Sequence, residues 1–218
     1  MDTIATLGRT LGFSFAAGVN LYATVAILGL ASRYGWVNLP AQYAVFDNSW
    51  IIGAAIALYV VEFVADKVPW VDTAWDAVHT AIRPLGGALI AVTTLGDASP
   101  SLQALIALLG GTVAASSHFT KAGTRAAANT SPEPFSNWIL SLGEDLFVVG
   151  LGFLALQYPV AALFVAVTLT LVIVIFAAVI IRTVRRWFGR RRATRRGPEE
   201  AEETGSQRGS EPRRTTAR

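Results

Sequence analysis

The chain has 218 residues, 53% hydrophobic and 15% charged, against about 25% charged residues in an ordinary soluble domain. It has no cysteine, which excludes disulfides, zinc–thiolate sites, iron–sulfur clusters and cysteine nucleophiles, and its two histidines exclude a three-histidine metal site within one chain. The net charge of +3 is uneven: residues 182–218 hold 12 of the 18 basic and 5 of the 15 acidic residues, leaving residues 1–181 at −4, so the basic balance belongs to the tail and is not a nucleic-acid signal.

In chain order, a first apolar segment runs from about Leu11 to Ala31, interrupted at Gly18-Val19-Asn20. It is too long for the core of a signal peptide and reads as a membrane span. A loop follows over residues 32–48, then a second span over 49–65 that ends in Glu62, Asp66 and Lys67. Residues 70–83 place Asp72, Asp76, His79 and Arg83 at i, i+4, i+7 and i+11, one face of a helix, with Trp70, Val71, Ala74, Trp75, Val78 and Ile82 opposite. That stretch is too polar to face lipid alone and is expected to be an interfacial or re-entrant helix, started by Pro69 and ended or kinked by Pro84. The third span, 85–95, is short and must borrow length from the helix before it.

After a turn at 96–100 comes a fourth span, Leu102 to about Ser117, with Gly110-Gly111 inside it. Residues 118–137 form a second polar stretch in which His118, Lys121 and Arg125 would share a face if helical, and Ser136 or Asn137 is a candidate helix cap. A fifth span from about Trp138 to Leu156 contains Glu144 and Asp145, and a sixth, 160–181, carries no charge. The arginine-rich stretch from Arg182 should lie on anionic lipid, and the chain beyond it has almost nothing to bury and is expected to be disordered. The expected fold is thus all-α: a transmembrane bundle of about six spans over residues 1–186 and a disordered basic tail over 187–218.

The excess of arginine after the last span places the tail in the cytoplasm, and counting back places the N-terminus there too. Lys67, Arg83, Lys121 and Arg125 then fall on the same side, and the expected location is the inner membrane. Helical rise puts Asn20, Glu62, Glu144 and Asp145 in the same half of the bilayer. Acids there need partners or a function.

Three stretches, GVNLYAT at 18–24, VEFVADKVPWVDTAWDAVHTAIRPLGGAL at 61–89 and SHFTKAGTRAAANTSPEPFSNWILSLGEDL at 117–146, resemble the domain-of-unknown-function family 4126, bacterial and plastid-lineage multi-pass membrane proteins. The resemblance implies the membrane fold and the choice of sites but no activity. Leu21 stands where many of those relatives carry proline, and the arginine-rich tail lies outside the pattern.

The candidate substrate or ion site therefore comprises Asn20, Glu62, Asp66, Asp72, Asp76, His79, Arg83, His118, Lys121, Arg125, Glu144 and Asp145. In one reading the acids and His79, positioned by Asp76, handle protons while Arg83, Lys121 and Arg125 hold a small polar solute; in the other the same charges only pin the bundle together. An oxygen-rich set of this kind would suit Mg²⁺ or Mn²⁺, though the spacing does not demand a metal. No cofactor is indicated, and no nucleophile or zinc-hydrolase motif occurs. The expected function is a small transporter or channel-like protein; a membrane-embedded enzyme acting on lipid headgroups and a non-catalytic scaffold are the alternatives. The expected partners are the bilayer, anionic lipid at the tail, and a small solute or proton. Nucleic acid is not expected, and a homo-oligomer is left open.

Overall fold

The computed structural model of the chain describes residues 3–130 and 134–209, except the side chains of Pro134 and of residues beyond Trp187. The described residues form seven α-helices and one short 3₁₀ turn, with no strand among them: α1 (Thr3–Val19), α2 (Leu21–Tyr34), the 3₁₀ turn (Ala41–Phe46), α3 (Ser49–Ala65), α4 (Pro69–Leu95), α5 (Pro100–Ala128), α6 (Pro134–Gln157) and α7 (Pro159–Gly209). The chain divides into two units, residues 1–173 and 174–218.

The punctuation is local. Asn20 leaves the helical region (φ −148°, ψ 100°) and caps α2, its side chain accepting from the Ala23 N–H at 2.9 Å. Gly35, at φ +60°, closes α2 with its N–H on the Ala31 carbonyl. Asn48 caps α3, and α4 and α5 begin at Pro69 and Pro100, where a missing N–H costs nothing.

Within residues 1–173, α1 is central: every residue from Thr10 to Val19 is buried, and the helix packs on α4, α5 and α6. Glycines let the helices approach. A Cβ on Gly18 would run into Ser117 and the Ala114 carbonyl, and one on Gly110 would sit 3.0 Å from the Gly87 carbonyl oxygen. Ser117 Oγ donates to the Phe15 carbonyl at 2.9 Å across the same contact.

The distribution of side chains is the reverse of a soluble protein. Asp72, Asp76, His79 and Arg83 are buried on α4 while Trp70, Val78, Leu85 and Leu89 are exposed. Four helical stretches are long and apolar enough to cross a membrane: Pro69–Leu95, Pro100–Ala128, Phe135–Gln157 and Pro159–Trp187; α3 is a shorter apolar helix. The α1–α2 pair, broken at Asn20, takes the place of the first expected span.

Several boundaries differ from the sequence expectation. Residues 70–83 are not a separate helix but the first half of α4, which continues through Pro84 and lends the short 85–95 segment its length. Gly111 faces the Pro84 carbonyl, so α5 packs closely at the proline. Residues 118–128 are not loop but the last turns of α5. Asn137 lies inside α6 rather than at its cap. The backbone of α7 runs on after Trp187 to Gly209. Residues 131–133 of the SPEPFSN loop and 210–218 of the tail lie outside the described residues.

Candidate functional site

The ends of α3 and α5, the first half of α4 and the middle of α6 bring their charged side chains into one buried network. Arg83 Nη2 donates to Glu62 Oε1 at 2.9 Å, and both side chains are fully buried. Lys121 Nζ reaches Glu62 Oε1 at 3.2 Å, Asp66 Oδ2 at 3.4 Å and Glu144 Oε2 at 3.4 Å. Arg125 grips Glu144 through Nε and Nη2, the shortest contact 2.7 Å, and reaches Asp66 Oδ2 at 3.0 Å. Paired forks of this kind are the strongest hydrogen bonds a guanidinium makes. Arg125 Nη1 also donates to the Asp66 carbonyl at 2.9 Å and the Asn137 carbonyl at 3.3 Å.

The remaining acids are held differently. Asp72 accepts from Asn129 Nδ2 at 3.0 Å and stands 4.0 Å from Arg125. Asp145 accepts from Asn20 Nδ2 at 3.3 Å, so Asn20 caps α2 with its oxygen and holds Asp145 with its nitrogen. Asp76 Oδ1 lies 3.1 Å from Arg83 Nη1 but off the hydrogen-bond axis, and neither Asp76 oxygen takes a hydrogen bond from the protein.

Hydrogen-bond chemistry fixes both histidines. His118 Nδ1 faces Arg83 Nη1 at 2.9 Å. A guanidinium only donates, so Nδ1 carries no proton. Nε2 therefore carries it and donates to Thr80 Oγ1 at 3.1 Å, which in turn donates to the Asp76 carbonyl. His79 Nδ1 lies 2.7 Å from the Trp75 carbonyl and is the donor there; Nε2 lies 2.8 Å from the Tyr22 hydroxyl. His79 is therefore positioned by Trp75 and Tyr22, not by Asp76 as the helical spacing suggested.

The charges do not balance. Six carboxylates, Glu62, Asp66, Asp72, Asp76 and Asp145 buried and Glu144 half-buried, meet three buried cations, Arg83, Lys121 and Arg125, and one half-buried cation, Lys67. Glu62, Asp66 and Glu144 each hold two cations within 3.4 Å and match the three positive charges. Asp72, Asp76 and Asp145 are the surplus over those three: Asp76 and Asp72 only share Arg83 and Arg125 with that set, and Asp145 has the half-buried Lys67. In the turn between α3 and α4, burial pushes the Asp66 carboxyl above its ordinary value, against the pull of Lys121 and Arg125. Lys67, in the same turn, lies over the Phe63 ring at 3.0 Å and donates to the Phe63 carbonyl at 2.8 Å.

Direct side-chain contacts thus connect nine of the twelve expected residues, from Asp76 through Arg83, Glu62, Lys121, Asp66, Arg125 and Glu144, with His118 on Arg83 and Asp72 at Arg125. Asn20–Asp145 and Tyr22–His79 form two separate pairs. Asn129 was not expected: it bridges Asp72, the Pro69 carbonyl and Asn137. Its only sequence signal was an amide at the end of a polar run. Among the described residues, no three His, Cys, Asp or Glu side chains are grouped to hold a metal ion.

Two cavities adjoin the network. One of about 220 Å³ lies between α4 and α5 and is lined by Thr73, Asp76, Ala77, Thr80, Ala122, Arg125 and Ala126. The other, about 630 Å³, is an apolar cleft among α1, α5, α6 and α7, with Phe15, Val19, Phe147 and Leu169 in its walls and Lys121 and Glu144 at its polar end.

Apolar helices turned outward around a buried charged centre define a multi-pass integral membrane protein. Residues 7–179 match the family described as domain of unknown function (DUF4126), and the chain belongs to it. No curated protein and no solved structure matches it.

Proposed function

We propose that the protein is a small transporter or channel-like protein of the inner membrane, with both termini cytoplasmic, the basic tail on anionic lipid, and coupling to protons through its buried carboxylates. One observation carries this reading: six acids meet four cations, and Asp72 and Asp76 have no cation of their own, only a share of Arg125 and Arg83. An unpaired carboxylate in a low-dielectric interior binds a proton or a cation rather than staying bare. The break at Asn20, beside Asp145, adds to it, since interrupted helices line the sites of many transporters. Arg83, Lys121 and Arg125 are already engaged by internal carboxylates, so an anionic solute would have to displace them. A proton is therefore the better-supported partner.

The test is reconstitution of the purified protein into liposomes containing a pH indicator, followed by gradients of ions and small metabolites. Proton movement driven by a solute gradient, lost in Asp145→Asn with helical content unchanged, is the expected outcome. Folded wild-type protein that moves no protons under any gradient removes the coupling.

The 630 Å³ cleft favours a second reading, a membrane-embedded enzyme, because its apolar walls would take an acyl chain with the headgroup at Lys121 and Glu144. Turnover of defined phospholipids in the same liposomes, followed by mass spectrometry, distinguishes the two.

A further inference from the structure

We infer that Asp76 is the proton port of the network, the carboxyl through which protons enter from water on the α4–α5 side. The inference rests on the proton-coupling reading above and adds where the exchange occurs.

The three surplus acids are not equivalent. Asp72 takes a hydrogen bond from Asn129 and Asp145 takes one from Asn20. Asp76 is only 4% exposed, yet neither of its oxygens takes a hydrogen bond from the protein, and it forms part of the wall of the 220 Å³ cavity. A buried carboxylate that accepts no hydrogen bond, with only the Arg83 charge beside it, costs free energy unless something else satisfies its lone pairs. The cavity has room for several waters at about 30 Å³ each, and Thr73, Ala77, Thr80 and Ala126 in its wall are exposed. Asp76 lies seven residues along α4 from Pro69, so about 10 Å from the end of the helix. The path is short and polar at its inner end.

The groups around Asp76 favour a proton over a metal cation. From its own helix it is faced by Asp72, His79 and Arg83; from α5 by His118 and Arg125; and, through Arg83, by Glu62 of α3. Two guanidiniums beside the cavity repel a metal ion, and Asp76 is the one acid among the described residues of the cavity wall. A proton needs one oxygen.

The position also gives the proton a consequence. Arg83 Nη1 stands between Asp76 Oδ1 at 3.1 Å and His118 Nδ1 at 2.9 Å. Protonating Asp76 removes the charge that attracts that donor and leaves its hydrogen bond with His118 unopposed, while Nη2 stays on Glu62 at 2.9 Å. Occupancy of Asp76 is thereby read by the α3–α4–α5 centre.

The test is infrared difference spectroscopy on the full-length protein in lipid nanodiscs, acid minus alkaline, which reports carboxyl protonation without requiring transport. Over the background of exposed and tail carboxyls, the higher-frequency band of a buried protonated carboxyl that appears reversibly on acidification should be lost in Asp76→Asn, shifted in frequency in Asp76→Glu, and retained in Asp72→Asn and Asp145→Asn. A band that survives Asp76→Asn and disappears in Asp145→Asn or Asp72→Asn overturns the assignment while leaving proton coupling intact. Wild-type protein with no such higher-frequency band above the exposed-carboxyl background overturns both. Should Asp76→Asn fail to fold, an unshifted band in Asp76→Glu overturns the port.

Discussion

Single residues in this chain differ sharply in what they hold. Arg83 and Arg33 both make short ion pairs, 2.9 Å to Glu62 and 2.7 Å to Asp47, but the first pair is fully buried and the second is 31% and 39% exposed. Burial decides which matters, because removing one member of a buried pair strands the other in low dielectric. Arg83→Met should therefore destabilise the protein by about 3–5 kcal/mol, whereas Arg33→Ala should cost under about 1 kcal/mol. Thermal or denaturant unfolding of the two variants in one detergent checks the ratio. The contrast was partly legible. The spacing of Asp72, Asp76, His79 and Arg83 told which side chains share a face, and all four are buried together. It did not tell their partners. His79 looked like a ward of Asp76 because the two are three residues apart, but its ring reaches Tyr22, 57 positions away. Asn129 was passed over for the same reason: neither partner of a long-range bond leaves a mark in the local pattern.

At the scale of the helices, Asn20 and the glycines carry the argument. Asn20 does two jobs with two atoms, capping α2 through Oδ1 and holding Asp145 through Nδ2. Serine retains a cap acceptor but cannot reach with an amide, so Asn20→Ser and Asn20→Ala separate the two roles. Asn20→Ala should lose about 1 kcal/mol more than Asn20→Ser, the value of a cap, and both should disturb Asp145 equally in any proton assay. Gly18→Ala places a Cβ against a backbone carbonyl of α5, which cannot swing aside, and should cost about 1–3 kcal/mol. Gly143→Ala meets nothing within 4 Å and should gain up to about 1 kcal/mol from helix propensity. Unfolding midpoints of the pair test the close α1–α5 crossing. Helix existence was legible from hydropathy, and the bounds of α3 came out as expected. Pro84 was read as an end or a kink because proline is judged by its local cost, and α4 runs through it. The length needed to cross the membrane and the packing of α5 against it keep α4 continuous. Residues 118–128 read as a polar stretch between spans, yet they continue α5, and His118, Lys121 and Arg125 share the inward face that helical spacing gives them.

For the molecule as a whole, the distribution of charge separates structure from function more cleanly than any single contact. Composition alone indicated a membrane protein, and the unpaired acids of residues 1–181 indicated that something must compensate them. Only the assembled helices show which acids are matched. Glu62, Asp66 and Glu144 pair with Arg83, Lys121 and Arg125, three against three; Asp76 and Asp72 only share two of those cations, and Asp145 has the half-buried Lys67. Two triple variants follow from that division. Neutralising the surplus set, Asp72→Asn, Asp76→Asn and Asp145→Asn together, leaves every buried cation with its carboxylate and should give a protein that folds with stability close to wild type but no longer exchanges protons. Neutralising the matched set, Glu62→Gln, Asp66→Asn and Glu144→Gln, leaves three buried cations facing amides. At about 3–5 kcal/mol for each broken pair, the sum exceeds the 5–15 kcal/mol that holds an ordinary domain folded at its lower end and approaches its upper end, so this variant should not yield folded protein. Size-exclusion profiles and circular dichroism of both variants decide it. If the surplus set proves as damaging as the matched set, the extra carboxyls are part of the scaffold and proton coupling loses its basis.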